Sequence, residues 1–216
     1  MIFDTKTHLK TEPFLRNAAA ELAGADPVMA ALVARIGPCQ LAMARRNHYF
    51  RSLVEAIVYQ QLAGSAAAAI LGRFRELYPT RRFPTPEEIQ GTPDERLRAA
   101  GLSPQKISYL RDLSGRVVDG SFRLRSMASM EDEDVVSHLT QVKGIGRWTA
   151  EMFLIFTLGR PDVLPLNDLG ILKAVQRAYG FGRMPAARTL ERLGRRWRPY
   201  RSVAAWYLWA SVDGNK

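Results

Sequence analysis

The ten residues "QVKGIGRWTA", 141–150, place two glycines either side of one isoleucine, with a lysine before them and an arginine and a tryptophan after. The stretch before them, "EDEDVVSHLTQV", opens on four acids, which the positive end of a helix dipole favours. The stretch after them, "RWTAEMFLIFTLG", is apolar and free of proline. Both predict helices, the second over about 147–159, so Lys143-Gly144-Ile145-Gly146 is the hairpin between them. Glycine permits positive φ and lets another backbone approach closely. The N–H groups of Gly144 and Gly146 then stand at the start of the second helix, where unpaired donors and partial positive charge can hold a phosphate. Lys143 and Arg147 add mobile charge beside it. Such a device grips a nucleic-acid backbone without reading sequence. On its own, Gly-x-Gly also fits an ordinary corner between two helices.

Outward from the hairpin the chain predicts one helix after another. "ADPVMAALVARIG" has Asp26 as cap, Pro27 at the first helical position and Gly37 as stop. In "NHYFRSLVEAIVYQQLAG", Asn47 is a candidate cap, and Phe50, Leu53, Val54, Ile57 and Val58 share one helix face. Ser103 caps a further helix in "SPQKISYLRDLSGRVVDG", and the proline-rich stretch before it predicts loop with short helical turns. A helix over about 169–179 follows the loop "GRPDVLPLND", and "PAARTLERLGRRW" and "PYRSVAAWYLWASV" supply two more. No segment alternates with period two, so the fold class is all-α. A division into two helical lobes puts 46–160 in one, and 1–45 with 161–216 in the other.

Composition limits the function. The chain has 216 residues and a net charge of +10, which points to a polyanionic partner, nucleic acid first and an anionic membrane surface second. Cys39 is the sole cysteine, so no disulfide within the chain and no Cys-ligated iron–sulfur cluster can form. His8, His48 and His138 lack ligand spacing, which argues against zinc. No apolar run is long enough to span a membrane, and the N-terminus "MIFDTKTHLK" lacks the features of a signal peptide. A cytoplasmic protein is expected, nucleoid-associated if bacterial.

The hairpin resembles the helix-hairpin-helix of the DNA-repair glycosylase superfamily, which often reads Leu-Pro-Gly-Val-Gly; here Lys143 replaces the proline. "GIGRWTAEMFLIF…LPLNDLGI" is similar to the 3-methyladenine DNA glycosylase II branch, the AlkA type. "AIVYQQLAGSAA" (56–67), "GLSPQKISYLRDLS" (101–114) and "WRPYRSVAAWYLW" (197–209) extend the resemblance over about 46–213. It implies two helical lobes flanking a DNA-binding cleft, in a compact form without the N-terminal sheet domain of some relatives. It also implies that the target nucleotide is flipped out of the duplex, because its glycosidic bond cannot be reached within the stack.

The resemblance assigns roles residue by residue. Asp168 falls where the family has its catalytic aspartate. Breaking a glycosidic bond builds oxocarbenium character on the sugar, and a carboxylate aimed at it stabilises that charge as it grows. From its residues alone Asp168 reads first as the cap of the helix that follows, and the resemblance reverses that order. Asn167 stands where many relatives have a further acid. Trp148 occupies the position of the lysine that forms a Schiff base in the bifunctional branch, so a monofunctional enzyme is implied. Trp209 matches a stacking tryptophan, and Trp148 and Met152 are candidates for the base pocket. An alkylated, cationic purine stacks on such rings by cation–π attraction. Trp197 and Trp206 fit core packing. Gln61 matches the wedge that fills the vacated stack, with Leu62 in reserve, and Gln60 contacts either pocket or backbone. Arg201 either pairs with a phosphate or braces the catalytic loop. Arg195, Arg196 and Arg198 form either a solvated helix face or a DNA contact. Main-chain carbonyls of Thr140, Val142 and Ile145 match the family's sodium or potassium site, and no catalytic cofactor is expected.

The expected function is therefore a monomeric, monofunctional glycosylase removing 3-methyladenine, 7-methylguanine and related alkylated bases from double-stranded DNA in base-excision repair. The alternatives are a non-enzymatic helix-hairpin-helix DNA-binding protein and an enzyme for oxidised bases.

Overall fold

A computed structural model describes residues 5–42 and 48–213, with side chains from residue 12 and up to residue 212. Twelve α-helices occur among the described residues: α1 Thr5–Ala25, α2 Pro27–Ile36, α3 Tyr49–Tyr59, α4 Gly64–Glu76, α5 Pro86–Gly91, α6 Asp94–Ala99, α7 Pro104–Val118, α8 Asp132–Leu139, α9 Arg147–Phe153, α10 Leu169–Ala178, α11 Ala187–Gly194 and α12 Arg201–Asp213. No strand is found among them, so the chain is all-α as expected. None of these helices is long and apolar enough to cross a membrane.

The caps are where local chemistry puts them. Asp26 accepts the Val28 N–H at 2.9 Å, Pro27 opens α2, and Gly37 ends it at a φ of 84°. Ser103 accepts the Lys106 N–H ahead of α7. Thr85 and Glu88 form a capping box on the short α5, which turns the proline-rich stretch into defined structure. His48 holds the cap position of α3 without a side-chain bond, and the expected cap Asn47 lies outside the described residues. The buried face of α3 is Tyr49, Leu53, Val54, Ile57 and Val58, with Phe50 only half-buried. Tyr49 replaces Phe50 there because its ring meets Phe153 of α9 edge-on, at 5.9 Å between centroids. No element is assigned from sequence to the residues before Asp26. Helix α1 forms there despite an internal Pro13, and buries Leu15, Ala18, Ala19 and Leu22.

The chain divides into two units, Arg46–Phe153 and Met1–Arg45 with Leu154–Lys216. The return to the unit that holds the N-terminal segment comes at Leu154, earlier than the boundary near 160 expected from sequence. No linker marks it, since α9 passes directly into a π-helical turn, Leu154–Leu158. In the unit formed by 46–153, α7 packs on α3, α5 and α6, and α8 packs on α9. In the other, α12 packs on α1, α2 and α10. That second core closes around a buried carboxyl group. Asp26 is 1% exposed and also accepts the Tyr179 hydroxyl at 2.6 Å and the Trp197 indole N–H at 3.3 Å. Burial and the neighbouring carboxylate push the Tyr179 phenol well above its ordinary range. Trp197 is fully buried, as its role in the core requires, and Trp206 is half-buried.

Candidate active site and nucleic-acid interface

The hairpin between α8 and α9 is fixed from inside. Val142 and Ile145 are buried, and the Ile145 N–H bonds the Val142 carbonyl at 3.1 Å. Between them Lys143 is exposed, and its main-chain N–H is held by the Asp112 carboxylate of α7 at 2.9 Å. Gly144 adopts a φ of 80° over the Tyr109 ring, so close that a Cβ would lie 2.1 Å from Tyr109 Cδ2. Its carbonyl accepts the Gln60 amide at 2.7 Å. Gly146 has no such neighbour, and its carbonyl takes the Ala150 N–H at the start of α9. The two glycines therefore serve different ends: Gly144 permits a close approach, and Gly146 leads into the helix.

Arg147 departs from the mobile charge expected of it. Its guanidinium is bidentate on Glu133 and also bonds Glu151 at 3.1 Å. In return the guanidinium holds the Glu133 carboxyl below the usual range. Arg147 thus ties α8 to α9 across the hairpin.

Beside the hairpin, the end of α3 and the first turns of α9 enclose a concavity of about 500 Å³. Gln60, Gln61, Leu62, Trp148 and Met152 all line it, together with Tyr59. Trp148 is 50% exposed, which is unusual for so large an apolar ring. Gln61 is the single non-glycine residue with positive φ, 56°, among the described residues. A left-handed backbone costs an L-residue roughly 1–2 kcal/mol, so this exposed side chain is presented at an energetic cost.

Asp168 lies in the other unit, at the end of the loop 159–168. It is the N-cap of α10 and is 7% exposed. Its Oδ1 accepts the Ile171 N–H at 2.8 Å and the Trp209 indole N–H at 2.9 Å. Capping and the proposed chemistry are compatible, since the cap orients the carboxylate. Trp209 stacks on Phe156 of the π turn, with centroids 5.8 Å apart. Gly170 has no side chain because a Cβ there would sit 3.1 Å from both Asp168 Oδ1 and Trp209 Cδ1. Phe156, Gly170 and the 63%-exposed Leu169 are not among the residues the sequence points to. The available signals are a glycine in a helical first turn and an apolar residue directly after the aspartate.

The first turn of α12 clamps the start of the same loop. Arg201 donates to Asp162 Oδ1 at 2.7 Å, Oδ2 at 2.9 Å and the Asp162 carbonyl at 2.6 Å. The Ser202 hydroxyl donates to the Arg160 carbonyl at 2.7 Å and accepts the Val163 N–H at 3.0 Å. Of the two roles open to Arg201, these contacts are those expected of the brace. Arg201→Gln is accordingly expected to lower stability by about 1–2 kcal/mol, through loss of a charge-assisted fork. The salt dependence of DNA binding stays unchanged, which a titration at several salt concentrations checks.

Residues 54–199 match the family described as "HhH-GPD superfamily base excision DNA repair protein". The chain belongs to this superfamily. Within HhH-GPD proteins it is similar to DNA-3-methyladenine glycosylase 1 of Schizosaccharomyces pombe, with 36% identity over 90% of this chain and 86% of that protein. Among solved structures it resembles the S. pombe 3-methyladenine DNA glycosylase (Mag1) in complex with abasic-DNA. That match has a TM-score of 0.79 and 35% identity, over 89% of this chain and 95% of that one. A DNA-3-methyladenine glycosidase from Bacillus halodurans also matches at TM-score 0.79 and 37% identity, over 89% and 87% of the two chains. The hairpin between α8 and α9, Lys143-Gly144-Ile145-Gly146, lies within the matched residues.

Proposed function

We propose that this chain is a monofunctional DNA glycosylase that removes alkylated bases, 3-methyladenine and 7-methylguanine among them, in base-excision repair. The observation that carries this reading is the buried Asp168 carboxylate, oriented by the Ile171 N–H and the Trp209 indole. The names of its relatives support the substrate class.

In this mechanism duplex DNA is held by the hairpin at Lys143, Gly144 and Gly146, and the target nucleotide leaves the stack. Gln61, with Leu62 beside it, fills the gap. The expelled base meets the exposed face of Trp148, where a cationic purine gains about 0.5–2 kcal/mol of cation–π attraction. An alkylated purine is already a good leaving group and requires no second acid. As the N-glycosidic bond breaks, positive charge grows on the sugar and Asp168 stabilises it. Water then adds at C1′, giving the free base and an abasic site. With tryptophan at 148 there is no amine at that position to form a Schiff base. The same reading places a sodium or potassium ion on the carbonyls of Thr140, Val142 and Ile145. The Val142 carbonyl fits this role, because after accepting the Ile145 N–H it retains a second lone pair.

Incubation with methylated duplex DNA tests the proposal. Free methylated purine is expected, with the DNA strand intact until heat or alkali is applied. Binding without release would instead support a non-enzymatic DNA-binding protein. Spontaneous strand cleavage would point to a lyase.

A further inference from the structure

Residues 181–201 hold seven arginines against one acid, Glu191, and so contribute +6 of the chain's net +10. Two of these arginines, Arg198 and Arg201, turn onto Asp162. Four others, Arg188, Arg192, Arg195 and Arg196, are exposed and fall at i, i+4, i+7 and i+8 along α11 and the 3₁₀ turn that follows it. That spacing is one helical face. The opposite face carries Leu190 and Trp197, both fully buried. An arginine stripe thus runs along the outside of the helix, bordered by Glu191.

Helix electrostatics explain only part of this stripe. Arg192 and Arg195 lie at the C-terminal end, where cations are favourable. Arg188 lies in the first turn, where a cation opposes the helix dipole. That turn contains no acid, and Ala186 supplies no side-chain cap. Arg188 therefore stands where the helix dipole disfavours a cation.

We propose that this stripe is a second contact with the phosphate backbone of duplex DNA, additional to the hairpin. The inference rests on the reading of the chain as a DNA-acting enzyme. Arginines four residues apart are ~6 Å apart along a helix axis. Every second phosphate of one DNA strand rises by a similar ~7 Å along the duplex. An anionic membrane is the poorer partner, because the apolar face of this helix is turned into the core and has nothing to insert. Contacts of this kind carry no sequence information and raise affinity for any duplex, which suits a search for rare lesions.

The test is the triple variant Arg188→Gln/Arg192→Gln/Arg196→Gln, titrated with undamaged duplex over a range of salt. Each lost phosphate contact lowers the slope of log affinity against log salt by about 0.9. A decrease of about 2–3 is expected, with affinity at 0.1 M salt down on the order of tenfold. The corresponding triple lysine variant should keep the wild-type slope, and thermal unfolding should confirm that both variants are folded. An unchanged slope in the glutamine variant would overturn the proposal and leave the stripe a solvated face. If wild type itself released no base, the glycosylase reading would fail, whereas the slope comparison would still decide the DNA contact.

Discussion

Asp168→Asn is expected to slow base release by about 10²–10³-fold, the scale of removing one preorganised electrostatic contact from a transition state. The substitution isolates charge. Asparagine keeps an Oδ1 that can accept the Ile171 N–H and the Trp209 indole N–H, at present 2.8 and 2.9 Å away. It is also among the best N-cap residues, so α10 should keep its start and stability should change by less than about 1 kcal/mol. Affinity for undamaged duplex should hold, because Asp168 is buried and is neither in the hairpin nor in the arginine stripe of α11. Asp168→Ala differs in kind. It removes the cap, at about 0.5–2 kcal/mol, and leaves both donors without their acceptor. Single-turnover release from methylated duplex, beside thermal unfolding of both variants, separates loss of charge from loss of structure. Release by Asp168→Asn at the wild-type rate would remove the carboxylate from the mechanism.

Gly144→Ala is expected to destabilise the protein by about 2–5 kcal/mol, while Gly146→Ala changes stability by less than about 1 kcal/mol. The pair looks symmetrical in sequence but not in structure. At Gly144 the φ of 80° alone costs an L-residue roughly 1–2 kcal/mol. The new Cβ would also meet Tyr109 ring atoms at 2.1, 2.3 and 2.5 Å, so α7 or the hairpin must shift, at about 1–3 kcal/mol. Gly146 has no positive φ, and a Cβ there would meet no heavy atom within 4 Å. For a chain of this size the difference corresponds to roughly 5–15 °C in Tm, readable by circular dichroism. Gly144→Ala/Tyr109→Ala should recover the steric part and leave the backbone part. Equal Tm values for the two glycine variants would contradict this division of labour.

Features set by neighbouring residues are legible from the sequence. The Asp26-Pro27 and Ser103-Pro104 helix starts, the hairpin glycines and the cap at Asp168 all depend on atoms a few positions away. Partnerships across the chain are not. Arg147 reads as mobile charge because nothing in the local sequence reveals that Glu133 and Glu151 converge on it. Arg201 has no single role until the loop folds back to bring Asp162 within 3 Å. The link from Trp209 to Asp168 spans 41 residues, and the Tyr109 ring beneath Gly144 comes from a helix well before the hairpin. Helix α1 has no such local mark; it contains Pro13, and burial of Leu15 and Leu22 outweighs that local penalty. The left-handed backbone of Gln61 has no signature in residue type at all.

The central claim is that Asp168 stabilises positive charge on the sugar. The most direct measurement compares affinity for duplexes carrying a cationic pyrrolidine or a neutral tetrahydrofuran in place of the target deoxyribose, for wild type and Asp168→Asn. Wild type should bind the cationic duplex more tightly than the neutral one, and Asp168→Asn should lose most of that preference while binding the neutral duplex as before. The same preference in both proteins would contradict the account.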